Sequence, residues 1–192
     1  NPADIVGMAK RAVLFMEKSQ KSGKPFFIQM SWHALHAPQN AMKETLAKYA
    51  KKMGSSVEEK RVGSAAIAEN LDTGVGFVLD AIESLGLTES TYVIYMSDNG
   101  SGGGGKRSGE RGRLSGGKGS VWEGGIRSPM IIRGPGIPAN SWCHERVVGY
   151  DLYPTYCQWA GVPMNRLPKG IEGGSLVSVL DDGRGTVQRG RA

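Results

Sequence analysis

"TYVIYMSDNG", residues 91–100, is the stretch from which the fold is read. Its first six residues are almost all apolar, as expected of a strand whose sheet is covered by helices on both faces. The run then ends abruptly on a serine, a carboxylate, an amide and a glycine. The next segment, "SGGGGKRSGERGRLSGGKGSVWEGG" (101–125), is rich in glycine and cations before the chain turns apolar again. A flexible linker accounts for the glycines. It does not account for Asp98 and Asn99 at the strand end, or for Lys118 set between two pairs of small residues.

Outward from this stretch, strand and helix signals alternate. Upstream, Val62, Ala66, Ile67, Leu71, Val75, Val78, Leu79 and Ile82 form one stripe, predicting a helix from about Val57 to Leu85 with Gly86 just past its end. Before it, "PFFIQMSW" (25–32) reads as a buried strand, "HALHAP" (33–38) as a loop, and residues 41–53 as a weaker helix. Asn1-Pro2-Ala3-Asp4 reads as the cap, first proline and acidic first turn of an opening helix that runs to about Ser19. Downstream, "PMIIRG" (129–134) reads as a third strand, and Asp151 as the cap of a helix through Trp159 that stops at Gly161. After about Leu180 the chain is polar and poorly patterned. The alternation predicts an α/β fold with a largely parallel sheet flanked by helices on both faces. Polar residues just after strands 25–32 and 91–97 then fall at the carboxyl edge of that sheet, where open α/β sheets bind ligands.

Composition narrows the function classes. The chain has 192 residues, enough for one α/β domain with a core but not for two large ones. Its 29 glycines are about twice the usual ~7%, and much of the excess lies between 100 and 125. The net charge of +6 favours anionic partners. Cys143 and Cys157 form neither a disulfide framework nor a zinc pattern, and two ordinary thiols are the simplest reading, with a single bridge as the alternative. No stretch is apolar over the ~18 residues that a membrane helix requires.

Each candidate group carries a plain reading beside a chemical one. Asp98-Asn99-Gly100 is a common turn; it is also a pair of hard oxygens suited to a divalent cation such as Ca2+ or Mg2+. His33 and His36 flank the other strand end, where His36 sits at the loop's turn and His33 reads as a packing residue. Facing a cleft, a histidine there donates to an anion or protonates a leaving group. Between Lys106 and Arg133 seven cations meet only Glu110 and Glu123. That pattern suits a solvated loop, a nucleic-acid arm, or a cradle in which glycines and one ammonium, Lys118, approach a small tetrahedral anion. Trp122 is the sole aromatic nearby, which counts against base stacking.

Taken together, "PFFIQMSWHALHAP", "GFVLDAIESLGLTESTYVIYMSDNG", "GGKGSVWEGGIRSPMIIRGPG" and "DLYPTYCQWAGV" closely resemble the sulfatase family in order and spacing. The resemblance covers essentially residues 3–180. It implies an alkaline phosphatase-like fold, with 1–180 as a middle and C-terminal part of a catalytic domain and 181–192 as a polar tail or the start of a further segment. It implies that Asp98 and Asn99 ligate a calcium ion, that Lys118 contacts the sulfate and the nucleophile side, and that His36 binds the ester or assists the leaving oxygen. Arg127 and Glu123 belong to the same motif and would hold the loop after Lys118. Sister phosphatases usually carry Asp-His at the metal position, so Asn99 leans toward sulfatase.

Sulfatases also need a Cys or Ser in a Cys/Ser-x-Pro-x-Arg motif, converted to formylglycine, and neither "SWCHERV" nor "TYCQWAG" provides one. The expectation is therefore a catalytic-domain fragment without its first third, inactive alone and prone to self-association through an exposed sheet edge. Formylglycine is expected only in the missing N-terminal part. The implied partner is a sulfated small molecule or glycan, with no nucleic acid, and family habit places such enzymes in the periplasm or outside the cell. The competing readings are a related metal-dependent phospho- or phosphonate-ester hydrolase and a non-enzymatic glycine/arginine-rich binder of nucleic acid.

Overall fold

The computed structural model describes residues 4–101, 114–181 and 183–190. The chain divides into two compact units, residues 1–89 and 90–192, each with its own packing.

In the first unit, α1 (Ile5–Lys21) and α2 (Lys43–Met53) both pack on the long α3 (Glu59–Ser84). Val62, Ala66, Ile67 and Ile82 of the stripe read from the sequence are buried, as are Ile5, Ala9, Ala12 and Met16 of α1, which packs on α3. Ile5 and Ile67 form the centre of this core, with Trp32, Ala34, Ala41 and Leu71 around them. Burying a side chain such as Ile67 completely contributes about 2 kcal/mol. Polar contacts fix α2 instead. Asn70 on α3 accepts the backbone N–H of Met42 at 2.9 Å and donates to the Thr45 hydroxyl at 2.9 Å. One buried amide thereby satisfies the start of α2, where helix N–H groups lack partners of their own. Asp4 stands at the N-cap position of α1 without a side-chain cap bond and pairs with Arg11 at 3.0 Å instead. Asn1, Pro2 and Ala3 lie outside the described residues.

Residues 25–32 run extended, with Phe26, Ile28, Met30 and Trp32 more buried than the residues between them. This is the alternation of a strand with one face covered, although the sheet among the described residues is formed by two strands of the second unit. Periodicity reports which face is covered. It does not report whether a neighbouring backbone is there to pair.

The second unit holds the only paired strands among the described residues, β1 (Val93–Met96) and β2 (Met130–Arg133). They run antiparallel, with Val93 opposite Arg133 and Met96 opposite Met130. This differs from the largely parallel pairing that the alternation predicts. A parallel return needs a crossover, usually a helix, that carries the chain back to the starting edge. The connection from 97 to 129 contains only the four-residue α4 (Glu123–Ile126) among its described residues, and the chain re-enters from the same end. Tyr95 and Met96 are exposed, so the strand is not covered on both faces.

Met130 and Ile132 pack on Leu176, Val179 and Val187, beside α5 (Leu152–Trp159) and α6 (Val177–Leu180). Tyr92 stacks flat on Trp159, with ring centroids 3.9 Å apart. Among the described residues no helix is long and apolar enough to cross a membrane.

Asp151 stands at the N-cap position of α5, but its side chain makes no cap bond to that helix. It is 0% exposed and its carboxylate takes four bonds: from the Val148 and Gly174 backbone N–H groups at 2.9 and 3.1 Å, and from Arg189 Nε and Nη2 at 2.9 and 2.7 Å. Thr155, also fully buried, donates to the Asp151 carbonyl and accepts from the Leu176 N–H. The chain after α6 is thus tied down at Arg189, and Val187 is buried in the core. Burial alone would raise the Asp151 pKa, but the Arg189 fork and the two backbone amides outweigh it and hold it below the ordinary carboxylate range.

Replacing Arg189 by methionine leaves a buried carboxylate without its cation and should cost about 3 kcal/mol at neutral pH, read from chemical denaturation. Because the folded pKa is depressed, Asp151 stabilises the fold above its unfolded pKa, and that contribution is lost as pH falls through the folded value. The stability gap between wild type and Asp151→Asn should therefore close on acidification; a gap that stays constant from neutral pH to well below the unfolded carboxylate range would refute this assignment.

Candidate functional site

At the end of β1 the chain does not continue outward. Gly100 N–H donates to the Gly125 carbonyl at 2.9 Å, and Ser101 N–H donates to the Gly124 carbonyl at 3.1 Å. A third length of loop joins them: Lys118 N–H donates to the Ser101 carbonyl at 2.7 Å, and Gly124 N–H to the Ser115 carbonyl at 2.7 Å. Three backbone segments, 100–101, 115–118 and 124–125, are therefore held together by their own peptide groups. A Cβ on Gly124 would lie 2.6 Å from the Gly116 carbonyl oxygen and 2.7 Å from that of Ser115, and one on Gly100 would overlap the Gly124 carbonyl. No side chain fits at either position.

This arrangement bonds the Lys118 backbone to Ser101, three residues past Asp98 and two past Asn99. The Asn99 side chain donates from Nδ2 to the Gly100 carbonyl at 2.9 Å, which turns Oδ1 to the other side as an acceptor. Asp98 is exposed, and its carboxylate carries no hydrogen bond or ion pair among the described residues. Ser97 Oγ donates to the Asn99 carbonyl at 3.0 Å and holds the turn. Two hard oxygens, one of them anionic and unspent, suit a hard divalent cation. They do not complete a site, and among the described residues no group of three His, Cys, Asp or Glu side chains gathers around a common point. Lys118 is exposed on a turn between Gly117 and Ser120. Glu123 and Arg127 form an ion pair across α4, one turn beyond it.

His36 belongs to the first unit. Its loop contains cis peptide bonds at Ala34–Leu35 and Ala37–Pro38, and the His36 N–H donates to the His33 carbonyl at 2.8 Å. His36 Nδ1 lies 2.7 Å from the Ala37 carbonyl oxygen. A carbonyl only accepts, so Nδ1 carries the proton and Nε2 is the nitrogen left to act. His33, expected to pack, is instead exposed, with its ring edge against that of His36 at 5.0 Å between centroids. A histidine in a short turn has few apolar neighbours to pack against. Lys106, Arg107, Glu110, Arg111 and Arg113 of the basic segment lie outside the described residues. Cys143 and Cys157 are both free thiols.

Sequence reasoning identified Asp98, Asn99 and Lys118 and read the glycines as allowing close approach, but missed which backbone segments meet and the serines that bond them. The signal was present: glycines at 100, 116, 117, 124 and 125 surround Lys118, and such spacing marks close backbone approach as much as flexibility.

The family model described as Sulfatase matches residues 5–162. A sulfatase of Formosa agariphila is 33% identical over 189 residues, covering 92% of this chain and 33% of that protein. Human arylsulfatase A is 34% identical over 176 residues, covering 85% of this chain and 31% of the relative. A crystal structure of Ps i-CgsB in complex with k-i-k-neocarrahexaose superposes with a TM-score of 0.76 at 29% identity, over 91% of this chain and 38% of that one. The chain thus spans about a third of the length of these curated relatives.

Two measurements check this geometry. Gly124→Ala should destabilise the protein by about 1–3 kcal/mol through overpacking, seen as a lowered Tm; an unchanged Tm would mean that the three segments are not in such close contact. In 15N-edited NMR the neutral form of His36 should be the Nδ1–H tautomer, and finding the Nε2–H form would remove the bond to Ala37.

Proposed function

The chain belongs to the sulfatase family, and we propose that the protein hydrolyses sulfate esters at a site to which this chain contributes Asp98, Asn99, Lys118 and His36. The observation that supports this best is the 2.7 Å bond from the Lys118 N–H to the Ser101 carbonyl, which ties the backbone of Lys118 to the segment that follows Asp98 and Asn99. The proposed domain is α/β and alkaline phosphatase-like, and its largely parallel sheet would take in residues 25–32 as a strand.

In this reading Asp98 and Asn99 are two of the ligands of a calcium ion, with Mg2+ as the alternative. The free Asp98 carboxylate and the outward Oδ1 of Asn99 fit that duty. Bound there, the cation would help neutralise the negative charge of the ester. Lys118 adds a compact ammonium with three donors, suited to the oxygens of a tetrahedral anion. Its charge is placed before the reaction begins, and preorganised charge of this kind is commonly the largest catalytic contribution. His36 works through Nε2. Protonated, it donates to the ester or to the departing oxygen; its Nδ1–H is held by Ala37 and keeps the ring oriented. The nucleophile, a formylglycine in this family, is proposed to come from outside these 192 residues, because neither Cys143 nor Cys157 lies in a Cys/Ser-x-Pro-x-Arg context. A sulfated small molecule or glycan is the proposed substrate class, and a periplasmic or extracellular location suits it.

The complete protein should hydrolyse 4-nitrophenyl sulfate in a calcium-dependent manner, and Lys118→Ala should lower kcat by about 10²- to 10³-fold. The 192-residue chain alone should show no turnover. Calcium-dependent hydrolysis by that chain, or a complete protein that prefers phosphate esters, would displace this reading.

A further inference from the structure

The turn that carries Lys118 is closed by a side chain as well as by backbone. Ser120 N–H donates to the Gly117 carbonyl at 3.0 Å. The Ser120 hydroxyl then doubles the link, donating to the same carbonyl at 2.8 Å and accepting the Gly117 N–H at 3.2 Å. Both peptide groups of buried Gly117 that face the turn are thereby engaged by one residue. Lys118 is left with one backbone anchor of its own, the bond to Ser101.

The surrounding glycines are shaped to this hydroxyl. A Cβ on Gly116 would lie 2.5 Å from Ser120 Oγ, and one on Gly125 would lie 2.8 Å from it. Gly116 also has a φ of +77°, a conformation that L side chains rarely adopt. The hydroxyl lies where side chains at Gly116 and Gly125 would crowd it, and it supplies the acceptor for the N–H of buried Gly117, whose carbonyl is also held by the Ser120 N–H. A long side chain such as lysine loses much of its effect if its Cα moves, since reach and direction both change with the turn.

We propose that Ser120 is a positioning residue for Lys118: its hydroxyl fixes the Gly117–Ser120 turn and so aims the ammonium. This rests on the function proposed above. Ser120 itself touches no reacting atom.

A double-mutant cycle in the complete protein, with 4-nitrophenyl sulfate as the probe, tests it. Ser120→Ala should lower kcat about tenfold with little change in KM, and Ser120→Thr, which keeps the hydroxyl, should restore most of the loss. In a Lys118→Ala background, Ser120→Ala should cause no further loss, because the residue acts through the lysine. Amide hydrogen exchange at Gly117 and Lys118 should rise in Ser120→Ala while the rest of the chain keeps its protection. An equal loss in both backgrounds, or a Ser120→Ala enzyme that matches wild type, would overturn the proposal. A wild-type protein that turns over no sulfate ester gives a different pattern: it overturns the functional reading, and the role of Ser120 with it.

Discussion

Peptide groups packed without side chains between them govern the second unit. Where 100–101 meets 124–125 and 115–118, the hydrogen bonds are 2.7–3.1 Å long and the positions between them admit no Cβ. Such contact is available only to glycine, which carries the largest conformational entropy cost of any residue on folding. The chain offsets that cost with a dense set of backbone bonds. In return, the backbone of Lys118 is fixed to Ser101, seventeen residues earlier in the chain, by main-chain geometry.

Two aspartates of this unit, Asp151 and Asp98, differ in how far their charge is engaged by the fold. Asp151 is saturated: two amides and a bidentate guanidinium satisfy both of its oxygens, and its pKa is held low. Asp98 is exposed and makes no such bond among the described residues. A buried carboxylate needs its partners to remain in the fold, whereas one at a strand end is free to serve a ligand. The same contrast separates Arg127, paired with Glu123, from Lys118, which has no such partner among the described residues.

Local pattern carried well wherever a single element decides its own burial. The stripe from Val62 to Ile82, the apolar runs at 93–96 and 130–133, and the helix ending before Gly161 could all be read because periodicity and glycine placement are local properties. Pairing could not. Residues 25–32 alternate as a strand should, yet the sheet among the described residues is formed by β1 and β2, which pair antiparallel, because strand partners are chosen by segments far away in sequence. Asp151 was legible as the residue that precedes α5, but its side chain makes no cap bond there and instead anchors Arg189, thirty-eight residues later. Among the candidate site residues the charged ones stood out by type and place. The serine that holds the Lys118 turn did not, since its contribution is a pair of hydrogen bonds within the loop rather than charge.

The choice of lysine at 118 agrees with the same geometry. A guanidinium is broad and planar and prefers two parallel bonds to a flat carboxylate or phosphate edge, as Arg189 makes to Asp151. An ammonium is a point charge whose three donors can rotate to meet oxygens arranged around a tetrahedral centre. Its stem is flexible, however, and loses rotamer entropy on fixing, so its aim depends on a rigid origin. A turn stapled at Gly117 by both the amide and the hydroxyl of Ser120, and bonded at Lys118 to Ser101, supplies that origin. On the function proposed here, the glycines at 100, 116, 117, 124 and 125 are therefore a device for rigidity, and the flexibility that such a composition suggests is the property that their backbone bonds and close contacts remove.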